Sequence, residues 1–293
     1  MDFFKIIDQL SEVDADVLGR FNSRRAVFGS LGTAAKRSAL AATPLFLGAL
    51  FQKAYAGTAA TGVEVLQYAL ALELFEQDFY AKVKASSPYA NASAADKAAI
   101  DQIKKHEDSH VTLLRGAISG LGATPVTGVT FKAAVFAGLT TFKSGAAATT
   151  QLGIAQLLED TGVRAYKGRA GELLGTDLLT VALQIHSVEA RHAAKIRDMR
   201  GQRAWVNPAD DLAAHPVYTS GVTAGSTPAA FGLVVPAYTA ASPVENNTTQ
   251  SGVDIKAGLG ATYTASDAAA AFDEYLQVAE VLDNSRAGGL IGA

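Results

Sequence analysis

Ile103-Lys104-Lys105-His106-Glu107-Asp108-Ser109-His110 contains a Glu-x-x-His step, and the chain repeats it as Ile185-His186-Ser187-Val188-Glu189-Ala190-Arg191-His192. Roughly thirty residues before each step lies a Glu followed seven residues later by Tyr: Glu73 with Tyr80, then Glu159 with Tyr166. Glu73 to Glu159 and Tyr80 to Tyr166 are both offsets of 86, while Glu107 to Glu189 and His110 to His192 are both 82. The copies differ by a four-residue shift, about one helical turn in a connecting loop. One Glu from each of two helices, plus Glu-x-x-His from each of two others, is the ligand set that a two-metal site inside a four-helix bundle requires.

The surrounding periodicity supplies those helices. Val63, Leu66 and Leu70 start a stripe of alternating three- and four-residue spacings that runs on through Glu73, Gln77 and Tyr80. Ile100, Ile103, Glu107, His110, Leu114 and Ala117 continue the alternation over about 94–120, with Gly120 expected as the residue that ends the helix. A third helix is expected over about 150–174, with Leu152, Ala155, Glu159, Gly162 and Tyr166 on one face. A fourth, over 177–200, aligns Ile185, Glu189, His192, Ile196 and Met199. Thr176 or Asp177 can cap the fourth helix, and Gly201 can end it. The third and fourth are separated by a few residues and should be antiparallel neighbours. Residues 121–149 form a long Gly/Ala/Thr-rich connection suited to crossing the bundle, with a short helical turn expected around Phe131 to Phe142.

Residues three apart on a helix are separated by about 60° and those seven apart by about 20°, so each Glu/His and Glu/Tyr pair projects from one face. These faces are the apolar ones. A buried carboxylate costs several kcal/mol unless a cation or hydrogen bond offsets it, and four glutamates and two histidines would converge with no Lys or Arg on the seams. Two divalent cations would neutralise them, with bridging carboxylates holding the ions about 3.5 to 4 Å apart. Two hairpins related by a pseudo-two-fold axis follow from the repeat.

The rest of the composition narrows the chemistry. The chain has 293 residues and a net charge of -3, with no dense basic stripe, which argues against a nucleic-acid partner. It has no cysteine, which excludes disulfides, thiolate nucleophiles, iron-sulfur clusters and Cys-ligated zinc; any metal must sit on oxygen and nitrogen. Iron and manganese accept such ligands equally. The most apolar early stretch, Ser38 to Phe51, contains Pro44 and is too short to span a bilayer. No transmembrane span is expected.

At its two ends the chain departs from bundle patterning. Ser23-Arg24-Arg25-Ala26-Val27-Phe28 resembles a twin-arginine export signal, and Ala54-Tyr55-Ala56 resembles a cleavage site, so residues 1–56 read as a signal or N-terminal arm and the protein as periplasmic or secreted. Residues 57–201 read as the bundle. Residues 202–293 shift to Pro, Thr, Ser, Gly and Asn, but keep Trp205, Phe231, Val234 and Val235. They read as a loop-rich extension packed on the bundle, with helical periodicity returning at Ala265 to Leu282.

About Gly62 to Arg200, these residues resemble the ferritin-like superfamily, and Leu72-Glu73-Leu74-Phe75-Glu76-Gln77-Asp78-Phe79-Tyr80 is similar to the first-helix motif of its exported, desiccation-related members. The resemblance implies an all-α, ferritin-like four-helix bundle with a long crossover between helices two and three. It implies that Glu73 and Glu159 are metal ligands from helices one and three, that Glu107 and Glu189 bridge, and that His110 and His192 each bind one of two iron or manganese ions. Tyr80 and Tyr166 would hydrogen-bond ligating carboxylates and orient them. With no cysteine, there is no rubredoxin-like module, so a reductive reaction needs an external electron donor.

Other polar residues near the seams lack repeat symmetry. Glu76 has Gly162 at its repeat position and reads as solvated or as supporting a ligand; His106 has Val188 and reads as a surface or hydrogen-bonded histidine. His186 and His215 read as non-ligands. Asp160 and Arg191 read as the solvated edges of their helices. Phe75 and Phe79 lie off the seam and are expected to pack on the extension.

Two functions compete. The leading expectation is an exported di-iron or di-manganese oxidoreductase acting on oxygen or peroxide, ferroxidase-like or catalase-like. The alternative is a non-catalytic stress-protection or envelope module whose metal site is structural. Iron storage in a shell is disfavoured by the extension, and self-association as a homo-oligomer is open.

Overall fold

The computed structural model describes residues 59–223, 232–238, 240–250, 253–254 and 264–292; the expected twin-arginine signal and cleavage site lie outside them. Four long helices, α1 (Ala59–Lys84), α2 (Ala94–Gly120), α3 (Gln151–Ala170) and α4 (Asp177–Met199), form the all-α bundle. α1 packs along α2 and α3 along α4, giving two helical hairpins.

Local chemistry sets the helix ends. The Ser93 side chain accepts from the amide of Asp96 at 3.1 Å to start α2, and Thr150 accepts from the amide of Gly153 at 2.9 Å to start α3. At α4, Thr176 occupies the cap position without a capping side-chain bond; its hydroxyl donates to the Leu173 carbonyl instead. Gly201, at φ 73°, closes α4 as its composition requires. α2 differs from expectation: Gly120 stays helical, and the left-handed position is taken two residues later by Gly122 at φ 78°.

α2 and α4 each bury one stripe, as surface helices do. α1 and α3 are buried nearly all round, with every residue of α3 from Gln151 to Tyr166 enclosed. A helix buried on every side needs a cover on its outer face. The crossover supplies the cover for α1: Phe131 stacks on Phe75 at 5.4 Å and meets Phe79 at 5.1 Å, and Phe136 lies edge-on to Phe79 at 6.0 Å. Phe75 and Phe79 therefore pack on the crossover, not on the C-terminal extension. The crossover carries a two-residue strand, Thr130–Phe131, that brings an aromatic ring within reach, and the expected helical turn forms at Ala133–Ala137. Thr130–Phe131 pairs antiparallel with Ile291–Gly292, tying the crossover to the end of the extension.

The extension covers α3. The Leu276 amide donates to the Arg164 carbonyl at 3.1 Å, and a Cβ placed on Gly168 would lie 2.1 Å from the Leu276 carbonyl oxygen, so the two backbones touch where α3 has no side chain. Arg164 is itself buried, donating to the carbonyls of Val217, Glu274 and Pro243 and pairing with Glu245 at 2.8 Å. One turn earlier on α3, Asp160 pairs with Arg197 of α4 at 2.6 Å and accepts from Tyr218 at 2.6 Å, and Arg197 also bonds Asp210 at 2.5 Å. Asp160 is thus buried and paired with Arg197, whereas Arg191 is exposed. The expected helical stretch 265–282 is reduced to Ala265–Ala270 and Val278–Val281. No helix among the described residues is long and apolar enough to cross a membrane.

Candidate metal centre

Midway along the bundle, α1 contributes Glu73, α2 Glu107 and His110, α3 Glu159, and α4 Glu189 and His192. All four carboxylates have no solvent exposure, and the two imidazoles almost none. Each side chain continues an apolar stripe, with Ile103 and Leu114 flanking the pair on α2, and Ile185 and Ile196 the pair on α4. The helical spacing that buries the leucines and isoleucines buries the ligands too.

His110 Nδ1 lies 3.1 Å from Glu73 Oε2, 3.2 Å from Glu107 Oε2 and 3.3 Å from Glu189 Oε1. His192 Nδ1 lies 2.9 Å from Glu107 Oε1 and 3.2 Å from Glu159 Oε2. The two sets mirror one another: each histidine meets the Glu of its own hairpin's first helix, and also the Glu-x-x-His carboxylate of the other hairpin. Two four-residue groups result, Glu73, Glu107, His110 and Glu189, and Glu107, Glu159, Glu189 and His192, each with ligand atoms within 4.8 Å of one another. Glu107 and Glu189 belong to both.

The tyrosines extend the symmetry across the hairpins. Tyr166 donates to Glu73 Oε1 at 2.5 Å, and Tyr80 donates to Glu159 Oε1. In both cases the hydroxyl takes the outer oxygen and leaves Oε2 directed at the histidine, a division of labour that fixes the carboxylate's rotation.

Five buried atoms facing inward make no regular hydrogen bond and meet only the histidines and carboxylates of the cluster: Glu107 Oε1, Glu159 Oε2, both oxygens of Glu189, and His192 Nδ1. Such lone pairs cost about 1–3 kcal/mol each when they meet nothing. Their convergence, from oxygen and nitrogen donors alone, suits the binding of metal ions. The electrostatics agree. Burial, then the charge of Glu73, pushes Glu107 up to about 7, and burial together with Glu107 and Glu73 pushes Glu189 well above the carboxylate range. Burial would lower His192, but the Glu159 charge and the Glu107 contact raise it to about 11; Glu107, Glu189 and Glu73 likewise raise His110. Glu73 goes the other way: burial would raise it, but the hydrogen bond and charge of His110, with the Glu107 and Tyr166 contacts, together lower it. Cationic partners are what these carboxylates demand.

Two residues break the two-fold. Glu76 is buried rather than solvated, and a Cβ on Gly162 would lie 3.0 Å from Glu189 Oε2 and 3.5 Å from Glu76 Oε1. The glycine at the repeat position of Glu76 leaves the space that Glu76 and Glu189 use. Burial and the Glu189 charge hold Glu76 well above its ordinary pKa. His106 is half-buried, and its Nδ1 lies 2.9 Å from His192 Nε2. The only sequence signal for both is their mismatch with the repeat. His186 lies outside the two groups, and His215 Nδ1 accepts from the Val217 amide at 3.2 Å, capping the turn Pro216–Tyr218.

Residues 61–202 match the family model described as the ferritin-like domain, which supports placing the bundle in the ferritin-like superfamily. No curated protein matches the chain.

Proposed function

From the ferritin-like match of residues 61–202, we propose that this protein is a di-iron or di-manganese carboxylate oxidoreductase acting on oxygen or peroxide, ferroxidase-like or catalase-like. The observation that carries the reading is the doubled ligand group sharing Glu107 and Glu189, whose inward atoms meet one another but make no regular hydrogen bond. Iron or manganese bound there would supply redox chemistry toward oxygen or peroxide.

The protein's own part is positioning and exclusion. Glu73 and His110 would hold one ion, Glu159 and His192 the other, and Glu107 and Glu189 both. Tyr80 and Tyr166 keep the two terminal carboxylates from rotating, so that one oxygen of each is always turned inward. The apolar walls of α1 and α3 keep bulk water from the charged cluster, which strengthens each of its interactions. The chain has no cysteine, so electrons for a reductive cycle would come from an external donor.

Complete burial of the four glutamates supports a second reading, a non-catalytic stress-protection module in which the metal pair ties the hairpins together. The first-helix motif at 72–80 supports kinship with exported, desiccation-related ferritin-like proteins. The twin-arginine stretch 23–28 supports export to the periplasm or beyond.

Metal analysis after reconstitution with Fe(II) or Mn(II), followed by oxygen and peroxide consumption, tests these readings together. Two ions per chain with turnover is the expected result. Two ions without turnover favours the structural role, and a protein that takes up no stoichiometric metal overturns both.

A further inference from the structure

His106 and His192 are linked edge to edge: His106 Nδ1 is 2.9 Å from His192 Nε2, with ring centroids 5.1 Å apart and planes within 9°. On its far side, His106 Nε2 is 2.6 Å from the side-chain amide of Gln102, one turn earlier on α2 and exposed to solvent. A continuous polar chain thus runs from the buried centre through α2 to the surface. Its counterpart is missing in the other half, where Val188 stands at the repeat position of His106.

We propose that His106 is a positioning residue, which holds the His192 imidazole in the tautomer and orientation that present Nδ1 to a metal, and thereby makes the Glu159/His192 position tighter than the Glu73/His110 position. The inference rests on the two-metal reading above. A neutral imidazole carries one N–H. For His192 Nδ1 to offer its lone pair to a metal ion held with Glu107 and Glu159, the hydrogen must sit on Nε2, and His106 Nδ1 is the acceptor placed to receive it. His106 then carries its own hydrogen on Nε2 and donates it to Gln102, whose amide presents its oxygen; the two ends of an amide exchange by a simple flip. Every bond in the chain is satisfied in this one direction. An outer partner of this kind on a ligating histidine contributes about 10- to 100-fold in metal affinity.

The test compares the full chain with His106→Leu and His106→Asn, the latter because an Asn side-chain oxygen can stand near the position of imidazole Nδ1. Each protein is titrated anaerobically with Co(II), and binding is followed by calorimetry and by the exchangeable imidazole N–H signals of the cobalt-loaded protein. Wild type should bind two ions in unequal steps. H106L should weaken the tighter step about 10- to 100-fold, leave the other unchanged, and lose one slowly exchanging N–H signal. H106N should restore both readouts. In a His192→Ala background, H106L should have no further effect on the remaining step. Wild-type-like binding by H106L overturns the proposal while leaving the two-metal reading intact, as does equal weakening of both steps, which would signal a general packing defect. A wild type that binds no cobalt overturns the reading and the proposal together.

Discussion

Glu189 turns both carboxylate oxygens into the cluster, where only His110 approaches one of them, at 3.3 Å, and the carboxyl groups of Glu107, Glu73, Glu159 and Glu76 crowd around it. Replacing one negative oxygen by an amide of the same shape should therefore act with opposite sign on two states of the protein. Glu189→Gln should raise the stability of chelator-treated protein, because the amide removes a buried charge that the crowded carboxyl groups disfavour. It should lower metal occupancy, because a bridging ligand is lost. Urea unfolding with chelator and with Mn(II) reads both; a variant destabilised in both conditions would refute the crowding argument. Gly162→Ala tests the same space from the opposite helix. Alanine improves helix propensity by about 1 kcal/mol, yet its Cβ would crowd Glu189 Oε2 at 3.0 Å. The expected outcome is unchanged or higher stability with chelator and a smaller Mn(II)-dependent rise in Tm, measured by calorimetry.

At the level of elements, the covers over α1 and α3 decide how rigid the seams are. Gly168 lies where the backbone around Leu276 crosses α3. Gly168→Ala must push that segment away, and should cost about 1–3 kcal/mol by overpacking. Cleavage within the extension by a protease should become faster, while metal uptake by the bundle persists; wild-type proteolysis rates would show that the contact is dispensable. These covers are not legible in the sequence. The four helices were legible within a few residues, because Ile103, Glu107, His110 and Leu114 share one period, and Ile185, Glu189, His192 and Ile196 share it again. Phe131 and Leu276 sit in segments with no period to align them, so nothing local says which helix they cover. For the same reason nothing local matches Phe75 and Phe79 to the crossover rather than to the extension. The six ligand candidates were legible by their doubled spacing, whereas Glu76 and His106 were not, because their roles depend on Gly162 and His192 across the bundle.

For the whole molecule, the cluster makes stability depend on pH and metal together. Glu107 has a folded pKa near 7 against an ordinary 4.5, so the folded chain holds a proton there that the unfolded chain has released. Its contribution is complete below about pH 4.5 and disappears as pH rises through 7. His192, raised to about 11 from 6.5, loses its contribution over the next interval with the same sign, and Glu245, raised by burial to about 8, adds to the slope. With chelator present, the urea midpoint should fall steadily from pH 5 to pH 8. With saturating Mn(II) the fall should flatten or reverse, since metal binding displaces those protons. A chelated midpoint that is flat or rises across this range would contradict the burial argument.

The crossed tyrosine bonds also set a schedule. Tyr80 reaches 79 residues ahead to Glu159, and Tyr166 reaches 93 back to Glu73. A chain with only its first hairpin folded has a loose trio of Glu73, Glu107 and His110, open to water and able to pick up whichever cation arrives. Selective loading begins only after the second hairpin has docked and the hydroxyls have locked the carboxylates. Selectively held metal therefore reports completed folding, whereas a stalled or truncated chain holds at most a loosely bound cation of any kind.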